Sequence, residues 1–121
     1  PNQVYWLNNL ADKYYMLWEE FCRPGDLEKA LKAAKSALKA IPNKSIDYMS
    51  FLNNYSTILE RKYQYTYNVD ALKEAIELIC QAISLTRKDH LESAKLYSNL
   101  GFMLQSLFEE TKDPSYLEEA L

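Results

Sequence analysis

Apolar side chains recur every three or four residues along most of the chain. Near its start they are Leu7, Leu10, Tyr14, Leu17 and Trp18. This spacing predicts one apolar stripe along an α-helix. Similar stripes follow, and Pro, Gly, Asp or Ser near the breaks mark the helix ends. The predicted first helix ends near Arg23-Pro24-Gly25, and the others span about 26–41, 45–65, 70–86, 89–110 and 115 onward.

The predicted helix starts carry capping residues. Asp70 is the expected N-cap of the fourth helix. Asp89 with Glu92, and Ser115 with Glu118, have the three-residue spacing of a capping box. The helix from Ser115 is expected to be truncated, so the chain has the pattern of an excised fragment.

The stripes repeat with a gapless period of 45 residues, and the match holds twice. Polar, small, aromatic and alanine positions all coincide between the copies. The matching triplets are Asn9/Asn54/Asn99, Ala11/Ser56/Gly101, Trp18/Tyr63/Phe108, Leu27/Leu72/Leu117 and Ala30/Ala75/Ala120. A fixed period of this size is typical of a solenoid, in which each repeat buries its apolar face on the next. We therefore expect one domain, 1–121, with units of about 1–44, 45–88 and 89–121, the last truncated.

The repeat resembles the tetratricopeptide family. In the first helix, the family pattern of large apolar, leucine, small and aromatic residues is met by Leu7, Leu10, Ala11 and Tyr14. In the second helix, Ala30, Ala34, Ala37 and Pro42 match the family's Ala and Pro positions. The resemblance implies an all-α fold, a right-handed superhelical solenoid of antiparallel helix hairpins, with about 2.5 repeats. The unit is longer than the family's standard of about 34 residues, and in this it resembles kinesin light chain and fungal signalling arrays.

Composition argues against several functional classes. The net charge of −3 lacks the clustered basic residues of a nucleic-acid footprint. No apolar run reaches the length of a membrane span, and two cysteines with one histidine are too few for a typical zinc site. His90 has only Asp89 and Glu92 nearby in sequence, so we expect no catalytic site, no metal and no cofactor. The expected location is the cytoplasm.

The small residues Ala11, Ser56 and Gly101 are expected where the first helix of each unit meets the second, since only small side chains permit a close approach. The asparagines at the neighbouring position have two interpretations. Asn9 is about 200° around the helix from Leu7, so its side chain leaves the core of its own unit. The amides of Asn9, Asn54 and Asn99 would then bind the backbone of an extended peptide, or tie neighbouring first helices together.

The resemblance favours peptide binding, because asparagine at this place in tetratricopeptide arrays often contacts a bound peptide. We therefore expect a protein–protein interaction module that holds a peptide or partner segment in the concave groove of the first helices. The alternative is a structural spacer or self-association segment of a larger multidomain signalling protein, with self-association through the truncated C-terminal helix. The candidate peptide-binding residues are Asn8, Asn9, Asn53, Asn54, Thr57, Arg61, Lys95 and Asn99.

Overall fold

The computed structural model describes residues 2–42, 47–86 and 91–115. Within these ranges the chain forms five α-helices and no strand. The helices are α1 (Asn2–Phe21), α2 (Pro24–Ala40), α3 (Tyr48–Thr66), α4 (Val69–Ser84) and α5 (Leu91–Thr111). The predicted all-α class is confirmed for this part of the chain. Sequence predictions also rest on residues outside it, namely Asp89, His90, Leu117, Glu118 and Ala120.

The chain divides into two compact units, Pro1–Ile58 and Leu59–Leu121, and the division falls within α3. In the first unit, α1 packs along α2. Only Cys22 and Arg23 separate these helices, so they must run antiparallel to pack along each other. Lys29 of α2 places its ammonium 5.5 Å from the ring centre of Tyr14 on α1, a cation–π contact across the hairpin.

The alanine stripe of α2 forms most of the core of this hairpin. Leu38 is half-buried, and the buried side chains of this stripe include Leu27, Ala30, Leu31, Ala34, Ala37 and Ile41. On α1 Ala11 is fully buried, whereas Leu7, Tyr14 and Trp18 are half-buried. Small side chains on α2 therefore let α1 approach closely, and the large side chains of α1 lie at the edges of the contact.

The start of α3 completes the first unit. Phe51 packs in one cluster with Ala37 and Ile41 at the end of α2, and with Val4 and Leu7 of α1. Phe51 is 4% exposed, and burial of such a side chain stabilises a fold by roughly 1.5–3 kcal/mol. The beginning of α3 thus lies against both helices of the preceding hairpin.

In the second unit, α4 packs against α5. The alternation of apolar and polar positions on α4 gives a buried face of Ala71, Leu72, Ala75, Leu78, Ile79 and Ala82. The buried side chains of α5 include Ser93, Leu96, Met103, Leu104 and Leu107. Tyr63, near the end of α3, donates a hydrogen bond of 2.8 Å from its hydroxyl to Glu110 Oε1 of α5, so α5 also contacts α3.

Three helix ends share one backbone conformation at the 45-residue period. Cys22, Tyr67 and Lys112 have φ values of 53°, 59° and 61°, the left-handed conformation that usually favours glycine. Each donates its backbone N–H to the carbonyl four residues earlier, on Trp18, Tyr63 and Phe108 respectively. These are the three aromatic positions of the sequence repeat. The repeat seen in the sequence therefore recurs in the backbone where α1, α3 and α5 end.

These turns correct the predicted helix boundaries. Pro24 and Gly25 do not end the first helix but form the first turn of α2, where proline is favoured because its missing N–H would have no partner. Asp70 is not the N-cap of α4. Asn68 holds that position, and its side-chain oxygen accepts from the N–H groups of Asp70 and Ala71 at 3.0 and 3.3 Å.

Asp113 occupies the repeat position of Asn68. Its carboxylate accepts from the backbone N–H of Ser115 at 3.1 Å and from the Ser115 hydroxyl at 2.9 Å. Ser115 is the last described residue, so the predicted capping box of Ser115 with Glu118 extends outside the described part of the chain. The first unit has Arg23 at the equivalent position, and its Nε donates to the buried carboxylate of Asp26 at 2.8 Å. An ion pair near the N-terminus of α2 thus takes the place of the side-chain cap.

The three small repeat residues differ in their surroundings. Ala11 and Ser56 are fully buried, as the expected close approach requires. Gly101 is only half-buried, and a Cβ added to it would meet no described atom within 4 Å. The full burial of Ala11 and Ser56 suits a small residue, whereas the surroundings of Gly101 do not require one; the close approach of the two helices within each repeat stays a prediction.

Candidate functional site

The side chains of Asn8 and Asn54 contact each other directly. Asn54 on α3 donates from Nδ2 to Oδ1 of Asn8 on α1 at 3.1 Å, in a partly buried position. Tyr5 links the same two parts of the chain, since its hydroxyl donates to Asp47 Oδ2 at 2.7 Å and its ring lies edge-on to Phe51. Asn54 therefore takes part in packing α3 on α1, and it does so through Asn8 rather than through its repeat equivalent Asn9.

Asn9 lies in a different environment. Its side chain is exposed and lines an open depression of about 360 Å³, together with Trp6, Leu10, Asp12 and Lys13. No described residue forms a hydrogen bond with its amide. The Asn9 amide thus offers one donor group and one acceptor to a ligand.

Asn53 and Thr57 lie on the half-buried part of α3. The Thr57 hydroxyl donates to the backbone carbonyl of Asn53 at 2.9 Å, so its proton is already used within the helix. The Oδ1 atom of Asn53 is buried and has no hydrogen-bond partner among the described residues. An unsatisfied buried amide oxygen costs roughly 1–3 kcal/mol, so an N–H donor that reached it would be favoured.

The second unit contains the remaining candidates. Asn99 is half-buried on α5, and within the described ranges its amide has no hydrogen-bond partner; Lys95 is exposed on the same helix. Arg61, at the second unit's end of α3, donates from Nη1 to Gln64 Oε1 at 2.9 Å. The adjacent Glu60 carboxyl is half-buried. Burial raises its pKa, and the positive charge of Arg61 offsets only part of that increase.

An apolar surface on α1 was not predicted from the sequence. Trp6 is 59% exposed and Met16 is 65% exposed. A second depression of about 290 Å³ is lined by Lys13, Met16, Leu17 and Glu20. Trp6 and Met16 are large apolar residues outside the Leu7–Tyr14–Trp18 stripe, so the sequence does contain them as a second apolar set. The apolar period alone does not show which of the two sets is left without a packing partner.

Two kinds of site are absent from the described ranges. No group of three or more His, Cys, Asp or Glu side chains there is placed to hold a metal ion. None of the helices in those ranges combines the length and the apolar character that crossing a membrane requires. Cys22 and Cys80 are both exposed thiols.

The fold and the site together define an all-α protein whose helix ends recur at a 45-residue period. No family model, no curated protein and no solved structure matches the chain.

Proposed function

We propose that the chain is a tetratricopeptide-like array that binds an extended peptide or partner segment through the first helices of its repeats. One observation carries this proposal. The repeat position that is asparagine in all three units is exposed at Asn9 and half-exposed at Asn54 and Asn99. An amide kept in the interior of a helix costs roughly 0.5–0.7 kcal/mol relative to Ala, and at Asn9 and Asn99 no described intramolecular hydrogen bond offsets that cost.

The chemistry of these amides suits an extended backbone. An asparagine side chain offers a donor and an acceptor to a peptide's carbonyl and N–H groups, and such contacts tolerate many ligand sequences. In the first unit, the exposed Trp6 and Lys13 near Asn9 would add an apolar contact and a positive charge. In the second unit, Lys95 supplies a positive charge on the helix that carries Asn99.

A structural spacer is the second candidate, and the Asn8–Asn54 hydrogen bond favours it. The Tyr5–Asp47 and Tyr63–Glu110 hydrogen bonds also favour it, because the first joins α1 to the residue before α3 and the second joins α3 to α5. The two roles divide between residues. The amide of Asn54 serves packing, whereas Asn9 and Asn99 retain the capacity to bind a ligand.

Peptide selection tests the proposed function. A random peptide library is panned against the purified chain, and the selected peptides are titrated against Asn9→Ala, Asn99→Ala and the control Gln81→Ala, which removes an exposed amide from α4. Loss of one hydrogen bond of about 0.5–1.5 kcal/mol should weaken binding roughly two- to tenfold at Asn9 and Asn99 and leave Gln81→Ala unchanged. Failure to select any peptide, or equal affinity for all three variants, would overturn the proposal.

A further inference from the structure

The solvent-exposed faces of α2 and α4 carry opposite charges at the same repeat positions. Lys29 and Lys32 on α2 align at 45 residues with Glu74 and Glu77 on α4. All four side chains are exposed, so packing in the core imposes neither charge. The repeat thus presents one basic and one acidic version of the same helix face.

Three lysines form what we call the basic face of α2: Lys32, Lys35 and Lys39. They lie within an arc of about 60° around the helix, and all three are exposed. Within the described ranges none of them forms an ion pair. Lys29, one turn earlier, already contacts the ring of Tyr14. Like charges three or four residues apart destabilise a helix, so an acidic partner on this face would be favourable.

Three acids form the corresponding acidic face of α4: Asp70, Glu74 and Glu77. They also lie within an arc of about 60°, and all three are exposed. Their intervals along the helix are four and then three residues, whereas the lysines of the basic face have intervals of three and then four. The two sets therefore match one for one when the helices run in opposite directions.

We infer that the basic face of α2 binds the acidic face of α4 in a second copy of the chain, with the two helices antiparallel. The pairs in this register are Lys32–Glu77, Lys35–Glu74 and Lys39–Asp70. The remaining charges do not clash, because Lys73 lies opposite Ser36. Similarly, Glu28 lies opposite Gln81. Neither face includes the repeated asparagines, so this inference does not rest on peptide binding.

The parallel arrangement is less favourable. With the helices aligned at the 45-residue period, Lys35 would lie opposite Cys80 and Lys39 opposite Ser84. Two of the three lysines of the basic face would then have no acidic partner. The antiparallel register matches all three.

Association of this kind should depend strongly on salt. Exposed ion pairs are individually weak, and a network of several is needed for a measurable effect. The contact should therefore form at high protein concentration and low ionic strength. Sedimentation velocity of the whole chain measures it at about 0.01 M and 1 M salt, where the Debye length is about 30 and 3 Å. We expect the weight-average sedimentation coefficient to rise with protein concentration at the low salt concentration only.

Charge reversal tests the pairing. Lys35→Glu and Glu74→Lys should each raise the dissociation constant roughly tenfold, because an attractive pair becomes repulsive. An equimolar mixture of the two variants should associate again, since the exchanged charges then face each other. Lys73→Glu is the matched control for Lys35→Glu. It changes the net charge by the same amount but lies opposite Ser36 in the antiparallel register, so it should not weaken association.

Four results would overturn the inference. The first is a chain that stays monomeric at low salt, and the second is an association that persists at 1 M salt or in both single variants. A mixture that fails to associate is the third. The fourth is a monomeric chain whose basic face binds added poly-glutamate and loses that binding in Lys35→Glu, because the occupant would then be an acidic partner of another kind.

Discussion

The amide nitrogen of Asn54 donates a 3.1 Å hydrogen bond to the amide oxygen of Asn8. Two residues one position apart on α1, Asn8 and Asn9, therefore have different roles: Asn8 joins α1 to α3, and Asn9 is exposed. The repeated asparagine is not one uniform ladder in this chain. It contributes to packing at Asn54 and is accessible at Asn9.

A double-mutant cycle on Asn8 and Asn54 should reveal their coupling. Each residue is replaced with Ala singly, and then both are replaced together. The cycle separates the energy of the shared hydrogen bond from the gain in helix propensity that each Ala brings. We expect a coupling energy of about 0.5–1.5 kcal/mol, measured by urea unfolding. The matched cycle on Asn9 and Asn54 should give a value near zero. Equal coupling in the two cycles would contradict the observed pairing.

Tyr63 should make stability depend on pH in the alkaline range. Burial, together with the hydrogen bond and charge of Glu110, raises its pKa from 10.0 to about 12. Since the folded pKa lies above the unfolded one, the stabilisation is fully present below pH 10 and is lost as the pH rises towards 12. Tyr63→Phe should remove this loss of stability at alkaline pH. Near neutral pH the same variant should be less stable than the wild type by about 0.5–1.5 kcal/mol, because the hydrogen bond is lost.

The measurement is chemical unfolding at a series of alkaline pH values, with Tyr97→Phe as control. Tyr97 is 53% exposed on α5, so its removal should leave the pH dependence unchanged. A wild-type curve that runs parallel to that of Tyr63→Phe through this range would show that Tyr63 is not held in its neutral form.

Glycine should stabilise the turn at Cys22. The left-handed φ of 53° strains any residue with a Cβ, so Cys22→Gly should be more stable than Cys22→Ala by about 1 kcal/mol. Cys80 lies exposed inside α4, and there the order should reverse, with Ala favoured over Gly by about 0.8–1.0 kcal/mol. Thermal unfolding of the four variants checks the prediction. The same order at both positions would exclude a left-handed residue 22.

Replacing Gly101 with alanine should be tolerated. Replacing Ala11 with a larger residue should destabilise the fold. A Cβ at Gly101 meets no described atom within 4 Å, so Gly101→Ala should stabilise α5 by about 0.8–1.0 kcal/mol. Ala11 is fully buried, and Ala11→Leu should cost about 1–3 kcal/mol through overpacking. Urea unfolding measures both. A destabilising Gly101→Ala would show that a neighbouring group lies close to that position.

The helices and their period could be predicted because both depend on local spacing. Leu27, Ala30 and Ala37 recur at helical intervals, and their burial follows from that stripe alone. The helix ends were harder to predict, because the left-handed positions carry Cys22, Tyr67 and Lys112 instead of glycine. No residue type at these positions signals the conformation.

The candidate site could be predicted only as a repeat position. Sequence spacing identified Asn9 and Asn54 as equivalent, but it could not show that Asn54 pairs with Asn8. That pairing depends on the offset between α1 and α3, which is set by the packing of Phe51 on Ala37 and Ile41. Contacts of this kind depend on tertiary geometry, so they cannot be predicted from the 45-residue period.

The most direct test of the account compares peptide affinity and stability in Asn9→Ala and Asn54→Ala. With a peptide selected on the wild-type chain, Asn9→Ala should raise Kd roughly two- to tenfold, with stability unchanged or improved by up to about 0.7 kcal/mol. The unfolding free energy of Asn54→Ala should reflect the loss of the hydrogen bond with Asn8. If Asn9→Ala instead lowered stability while the Kd stayed at the wild-type value, asparagine at this repeat position would serve packing alone, and the proposed binding role would be wrong.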